Sequence, residues 1–368
     1  MRTDRSPMPK TYLQGRPSHQ LRSVATLLGT TAAVLARRCI GRPLVPQWSA
    51  AFEIGTLFFR RQFIHALALP DMADSRAYFD SLYTVVVAKP QVEVRPSNAG
   101  QPRGDWFIPR GHNSPLTLLY FHGGGYAFYG AVSRHFIAML AQLLQVPIFA
   151  PDYRLTPEHP HPAQIDDGLA AYKHLLDTGI DPNRLVVGGD SAGGHLALML
   201  LARLGEAQLP QPALVVGISP WTDIGRRGES QFGNDRYDMV QGCQTLQYGA
   251  WLKAGTNCSD AELSPIHQRY RGAAPVYLQA GGKEILVDMI RDFASSLQQQ
   301  GARVRLDVWP HMTHEFHAYG HTLAQSQQAI DQLRAAIAWA TGAVGEAAFR
   351  ACSQTEIDAL VLHDPPKP

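Results

Sequence analysis

A serine between glycines lies near the middle of the chain, directly after a run of residues that predicts a strand. Ser191 is the central residue of a G-x-S-x-G pattern at 189–193, with an apolar run at 185–187 before it and a helix-forming run at 195–204 after it. A tight strand-to-helix turn can hold a serine hydroxyl ready to attack an acyl carbon. The turn leaves room only for small neighbours, which Gly189 and Gly193 supply. The pattern also occurs in ordinary glycine-rich turns, so it needs a second signal.

The second signal is a glycine-rich loop 69 positions upstream of the serine. The predicted strand 117–121 runs directly into His122, Gly123, Gly124 and Gly125. Consecutive glycines let backbone N–H groups approach an oxyanion closely, and the residue after the nucleophile, here Ala192, supplies a further donor. We expect His122 to hold this loop by hydrogen bonds rather than to act as a base.

With the segment 151–160, which contains Y-R-L-T-P-E, the pattern resembles the hormone-sensitive-lipase-like family of α/β-hydrolases, which includes bacterial carboxylesterases. Thr156 stands where the family usually has alanine. The resemblance covers residues 85–342. It implies an α/β-hydrolase fold, a mostly parallel twisted sheet with helices on both faces and a helical cap. It also implies that Gly124 and Gly125 are the loop's oxyanion donors.

The acid of the expected triad is sought after the predicted strand 275–280, because α/β-hydrolases order their triad as serine, acid and histidine. The resemblance assigns this role to Glu284, with Ile285 where the family has proline. Asp288 is the rival. It lies where the next helix should begin, so we expect it to support the first turn of that helix.

The base is sought after the alternating strand 303–309, where three histidines follow Pro310. The resemblance, through the family's M-x-H-x-F pattern, assigns the base to His314. His311 and His317 are the competitors, expected at the surface and the mouth of the pocket. A metal site built from the three histidines is disfavoured, because no cysteine is near and Glu315 is adjacent rather than well spaced. No metal and no cofactor are therefore expected.

Composition sets broad limits on function. The chain has 368 residues, 45% of them hydrophobic and 17% charged, with a net charge of +2, which is ordinary for a globular enzyme and gives no reason to expect nucleic acid. Cysteines at 39, 243, 258 and 352 form no C-x-x-C pair. We expect reduced thiols in a cytoplasmic protein, with a bridge between Cys243 and Cys258 as the alternative.

The N-terminal segment is unusually basic. Residues 1–45 contain eight Arg or Lys and one acid, and the apolar run 24–36 is too short to span a membrane. Export is disfavoured, because the run ends in Arg37 and Arg38 and not in a cleavage site. We expect a helix that packs on the body of the protein. Loose contact with a membrane surface is the alternative.

Alternating strand and helix patterns predict the organisation of the rest. We expect an N-terminal segment with cap helices at 1–82, a first part of the hydrolase core at 83–220, a cap insertion at 221–271, a second part of the core at 272–342 and a tail at 343–368. The insertion is far longer than an ordinary loop. Tyr126, Phe128 and Trp221 are expected as pocket walls.

The leading functional interpretation is a serine carboxylesterase that hydrolyses short- to medium-chain acyl esters. An amide, formamide or acetyl-group hydrolase would use the same triad, so it stays open as an alternative. A ligand receptor on this fold is less favoured, because such receptors lack a working triad and this chain retains Ser191, Glu284 and His314. The expected partner is a small-molecule ester, and a homodimer is left open.

Overall fold

The computed structural model describes residues 10–85 and 91–343. Its main sheet has eight strands in the order β10-β9-β8-β7-β5-β6-β4-β3. The six strands from β10 to β6 pair in parallel, whereas β4 runs antiparallel to both β6 and β3. The strands are β3 (Val92–Pro96), β4 (Gly104–Pro109), β5 (Thr117–Phe121), β6 (Ile148–Pro151), β7 (Leu185–Asp190), β8 (Leu214–Ile218), β9 (Val276–Gly281) and β10 (Val304–Trp309).

The strand pattern agrees with the alternation seen in the sequence, and β3 and β4 form an antiparallel hairpin at one edge of the sheet. Strands buried on both faces read as continuous apolar runs, which is why β5, β9 and β10 lie within one residue of their predicted positions. Five helices alternate with these strands: α4 (Ala131–Leu144), α5 (Ala163–Asp177), α6 (Ser191–Glu206), α9 (Val287–Gln299) and α10 (Ala324–Ala340).

Helices cover both faces of the sheet. Because successive strand residues point to opposite sides, a single strand contributes to the core on each face. Leu119 and Phe121 of β5 belong to the larger core cluster, which includes buried residues of α5, α6 and α9. Leu118 and Tyr120 belong to a second cluster with α4 and α10. The prediction of an α/β-hydrolase fold is therefore confirmed.

The N-terminal segment adds helices that pack on this body. They are α1 (Pro17–Cys39), α2 (Ala50–Leu67) and α3 (Met72–Phe79), and α1 contacts both α2 and α3. Ser49 caps α2 by accepting a hydrogen bond from the Phe52 N–H, and Asp71 caps α3 in the same way through Asp74. A short strand, β1 (Lys10–Leu13), pairs antiparallel with β2 (Leu82–Val85), which the sequence patterns did not predict.

The insertion at 221–271 contains two α-helices, the four-residue α7 (Ser230–Gly233) and α8 (Gly242–Lys253), and a 3₁₀ helix at Pro265–His267. A capping box starts α8, with Gln241 and Gln244 each binding the other's backbone. Cys39, Cys243 and Cys258 are free thiols, so the alternative bridge between the latter two is not formed. Within residues 10–85 and 91–343, no helix is long and apolar enough to cross a membrane.

Candidate active site

Ser191 begins α6 directly after β7, with a φ of 53° that places it in the left-handed region. Such a backbone is costly for a residue with a side chain, and it is typical of a nucleophile held on a strained turn. The neighbouring glycines are required sterically. A Cβ at Gly193 would lie 1.9 Å from the Phe121 carbonyl oxygen, and one at Gly189 would lie 2.4 Å from the Gly193 backbone.

The glycine loop after β5 lies beside this turn, because β5 and β7 are adjacent in the sheet. Gly124 and Gly125 have φ values of 99° and 63°, which glycine alone adopts readily. Asp190 fixes the loop: it accepts a hydrogen bond from the Gly123 N–H at 2.9 Å and from the Tyr120 hydroxyl at 2.6 Å. No sequence pattern predicted this role of Asp190, although the residue lies within the nucleophile motif.

His122 is buried between the rings of Tyr129 and Tyr153, with ring centroids 4.0 Å and 4.2 Å away. Its Nδ1 donates to the Gly123 carbonyl oxygen at 2.7 Å. Burial lowers the pKa of His122 to about 3, so the imidazole is neutral at physiological pH. These contacts agree with the structural role expected for this residue.

His314 lies in the loop after β10, and Glu284 lies in the loop after β9. Because β9 and β10 are adjacent and parallel, their carboxyl ends bring these two loops together. Glu284 Oε2 lies 3.7 Å from His314 Nδ1, and both side chains are almost completely buried. Ser219 donates a hydrogen bond from its hydroxyl to Glu284 Oε2 at 2.6 Å, which orients the carboxylate.

Asp238, in the insertion between α7 and α8, joins the two loops. It accepts hydrogen bonds from the His314 N–H at 3.0 Å and the Ile285 N–H at 2.7 Å. Burial raises the pKa of Asp238 to about 7, with Glu284 adding to the rise and His314 opposing it. Asp238 is far along the chain from both loops, so no local sequence pattern indicated these hydrogen bonds.

The rival residues lie elsewhere. Asp288 is in the first turn of α9, where Oδ2 accepts a hydrogen bond from the Ser230 N–H at 2.8 Å. His311 is exposed. His317 is fully buried, contrary to the expected place at the pocket mouth, because the segment 316–322 forms a 3₁₀ helix whose start is packed into the core. Its Nε2 lies 3.0 Å from Gln279 Oε1.

Glu315 provides a second carboxylate beside His314. Its Oε1 lies 3.5 Å from His314 Nε2, on the ring edge opposite Glu284. Burial opposes the charged imidazolium, but Glu315, Glu284 and Asp238 outweigh it and raise the pKa of His314 to about 9. From the sequence, Glu315 was expected only to be a neighbour of the base.

A cavity of about 580 Å³ contains Ser191, His314 and the three glycines of the loop in its wall. Its remaining wall is mainly aromatic and aliphatic, and both cap segments contribute: Phe58 and Phe63 come from α2, and Tyr248 comes from α8. Cavities of this size suit small organic ligands. In the part of the chain that the structure describes, no group of three or more His, Cys, Asp or Glu could hold a metal ion.

Two of the three predicted wall residues, Phe128 and Trp221, line this cavity. Tyr126 does not. Its side chain turns into the core, where the hydroxyl donates to His195 Nδ1 at 2.6 Å, and His195 Nε2 donates to the Leu263 carbonyl oxygen at 2.7 Å. A φ of 62° at Tyr126 turns the chain there, which a sequence pattern does not reveal.

Known proteins resemble this chain over more than half of its length. A family model described as the α/β-hydrolase fold matches residues 118–318. An acetyl-hydrolase of Streptomyces hygroscopicus is 35% identical over 257 residues, covering 67% of this chain and 86% of the relative. An esterase of Acinetobacter venetianus is 30% identical over 259 residues, covering 69% and 85%.

A crystal structure of an esterase from the bacterial hormone-sensitive lipase family superimposes with a TM-score of 0.65 at 25% identity, covering 88% of this chain and 98% of that one. The resemblance seen in the sequence is therefore confirmed, and the chain belongs to the α/β-hydrolase family, within its hormone-sensitive-lipase-like group of ester hydrolases.

Proposed function

We propose that this enzyme hydrolyses carboxylic esters through a triad of Ser191, His314 and Glu284 and an acyl-enzyme intermediate. The observation that carries the proposal is the meeting of three features at one cavity: a serine on a left-handed turn, a histidine, and a buried carboxylate at the far ring nitrogen of that histidine. This is the arrangement that activates a hydroxyl for acyl transfer.

The proposed steps give each of these groups one role. The Ser191 oxygen bonds to the acyl carbon while His314 Nε2 takes the hydroxyl proton. Backbone N–H groups of Gly124, Gly125 and Ala192 stabilise the oxyanion, each contributing roughly 2.7–4 kcal/mol. His314 then protonates the leaving alcohol. Water, deprotonated by His314, then attacks the acyl carbon. The bond from that carbon to the Ser191 oxygen breaks, His314 returns the proton to this oxygen, and the acid is released. Glu284 stabilises the imidazolium in both halves of the reaction.

We further propose that the acyl group is short to medium in length. The cavity is continuous with the nucleophile and is lined by aromatic rings from both cap segments, which suits burial of an apolar chain. Neither Lys nor Arg is among the described residues that line it, so an ester without negative charge fits better than an anionic one.

The test is hydrolysis of p-nitrophenyl esters from acetyl to palmitoyl by the wild-type enzyme and Ser191→Ala. We expect the highest kcat/KM at short to medium chains and a loss of roughly 10⁴–10⁶-fold in Ser191→Ala, because triad members act as a unit. Activity retained by a folded Ser191→Ala would overturn the triad. Inactivity of the wild type on all esters, with turnover of anilides or formamides, would favour the amide alternative.

We also propose that α1 contacts an anionic lipid surface. Leu21, Leu28 and Leu35, spaced by seven residues, are 73%, 65% and 47% exposed along one side of the helix. Residues 5–52 contain seven Arg or Lys and no acid; of these, Arg16 pairs with Asp74, and Arg37 and Arg38 pair with Glu53. A stripe of this kind beside basic residues is typical of a helix that lies on a membrane. A second copy would bring two basic segments together, so a homodimer through this face is disfavoured.

The cytoplasmic location of the protein stays a prediction.

A further inference from the structure

Glu315 has a backbone conformation that is costly for a glutamate. Its φ is 49° and its ψ is 33°, in the left-handed region where glycine is favoured. Its N–H donates to the Ser219 hydroxyl at 3.3 Å, and that hydroxyl donates to Glu284. A residue kept in a strained conformation next to a catalytic group points to a role at the site.

The side chain extends into the reaction centre. Oε1 lies 3.5 Å from His314 Nε2, the nitrogen that must take the proton of the nucleophile. The carboxylate also contacts the side chain of Asp190, and a Cβ at Gly123 would lie 2.8 Å from Glu315 Oε1. The carboxylate therefore lies where the base, the nucleophile turn and the glycine loop meet. Its side chain is 22% exposed, whereas that of His314 is 2% exposed.

We propose that Glu315 is a positioning residue that acts through His314: in the resting enzyme its carboxylate holds the Nε2 edge of the imidazole and keeps the ring protonated, so that the base becomes available only as the solution turns alkaline. This inference rests on the proposed triad, in which the neutral form of His314 is the active form. By this inference, Glu315 determines the pH range in which the enzyme is active.

Other titratable groups also surround His314 and Glu315, and none of them favours the neutral imidazole over the imidazolium. Glu284 from the loop after β9 and Asp238 from the insertion also favour the imidazolium, and the charge of Glu315 is the largest single favourable contribution. Asp190 contacts the Glu315 carboxylate. Burial is the main cause that raises the pKa of Asp190, and the charge of Glu315 is the next. His317 is neutral, because burial lowers its pKa to about 3.

The sign of the effect follows from charge. A carboxylate near Nε2 stabilises the charged imidazolium and raises the pKa of His314, so neutral base accumulates only above that value. Removing the charge of Glu315 lowers that pKa. The rising limb of kcat/KM, which reports the free enzyme, must then move to lower pH.

The experiment compares kcat/KM against pH for wild type, Glu315→Gln and Glu315→Gly on p-nitrophenyl acetate. Glutamine keeps the shape and removes the charge, and glycine suits the left-handed backbone, so at least one variant should fold. We expect both to move the rising limb to lower pH by about 1–3 units. Glu262→Gln is the control: it also removes one charge, and Glu262 is exposed in a loop where it accepts hydrogen bonds from Ser259.

A limb that coincides with wild type in both folded variants, or that moves to higher pH, would overturn the inference. NMR titration of the His314 imidazole in Ser191→Ala, with and without Glu315→Gln, tests the same inference without turnover. If no ester is hydrolysed but the imidazole titrates at lower pH once Glu315 is replaced, the proposed function fails and the role of Glu315 stands. If ester hydrolysis is normal and the titration does not change, the reverse holds.

Discussion

Backbone strain in this protein is concentrated at the site. Among residues 10–85 and 91–343, six residues other than glycine have positive φ, and four of them, Tyr126, Ser191, Ser219 and Glu315, lie in the segments that form the site. The remaining two lie at helix ends, where a left-handed residue is common. Residues in sparsely populated conformations persist only where the surroundings fix them, so their grouping here agrees with a preorganised reaction centre.

The acid can be assigned by a pair of matched variants. We expect Glu284→Gln to lower kcat roughly 10³–10⁴-fold, because an amide cannot stabilise the imidazolium or select the right tautomer of His314. Asp288→Asn should leave ester hydrolysis close to wild type, because Asp288 binds the Ser230 N–H and not the base. Steady-state kinetics of both variants on one p-nitrophenyl ester identify the acid. A larger loss of kcat in Asp288→Asn than in Glu284→Gln would move the acid to Asp288.

At the level of the elements, one buried carboxylate attaches the N-terminal helix to the cap. Glu53 of α2 is fully buried and accepts hydrogen bonds from Arg37 at 2.7 Å and Arg38 at 2.9 Å, both in the last turn of α1. The Leu44 N–H donates to the same carboxylate at 3.3 Å. Since α2 also contributes walls to the cavity, this contact links α1 to the shape of the site.

We expect Glu53→Gln to lower the free energy of unfolding by about 2 kcal/mol, because it leaves two arginines beside a neutral group. Both arginines are partly exposed, which limits the loss through solvent screening. Urea denaturation followed by circular dichroism measures it. Glu206→Gln, which breaks an exposed pair with Arg203, should change little. Equal denaturation midpoints for the two variants would show that the buried Glu53 contacts stabilise the fold no more than the exposed pair does.

At the scale of the whole molecule, the substrate cavity extends beneath the face proposed to meet lipid. Thr11 of β1 and Leu27 of α1 are among the residues that line the cavity, while Leu28, the next residue, is 65% exposed. A protein lying on a membrane through α1 would therefore hold its cavity close to the acyl chains of the bilayer.

Vesicle sedimentation tests this arrangement on the full chain. We expect binding to phosphatidylglycerol-containing vesicles that weakens with salt, little binding to pure phosphatidylcholine, and a loss of about tenfold or more in affinity for Leu21→Ser/Leu28→Ser/Leu35→Ser, since each buried CH₂ is worth about 0.8 kcal/mol. Absence of binding by the wild type would refute the proposal. A wild-type dimer that the triple variant abolishes would instead make a second copy the occupant of this face.

Local patterns in the chain were sufficient for much of the fold. The parallel strands read as apolar runs, Ser191 stood between a strand and a helix, and the glycine loop followed a strand directly, because each of these signals depends on residues close together in sequence. Pairing between β1 and β2 was missed, since it joins segments about 70 residues apart that carry little pattern of their own.

The sequence by itself determined the fold family, the positions of the parallel strands, and the identity of the residues predicted to act as nucleophile, base and acid. Only the tertiary structure placed Glu284 rather than Asp288 beside His314, brought Asp238 from the insertion onto both loops, and turned Tyr126 away from the cavity. It alone placed the Glu315 carboxylate at His314 Nε2. The direction of a side chain depends on backbone angles and distant neighbours, which short-range patterns do not encode.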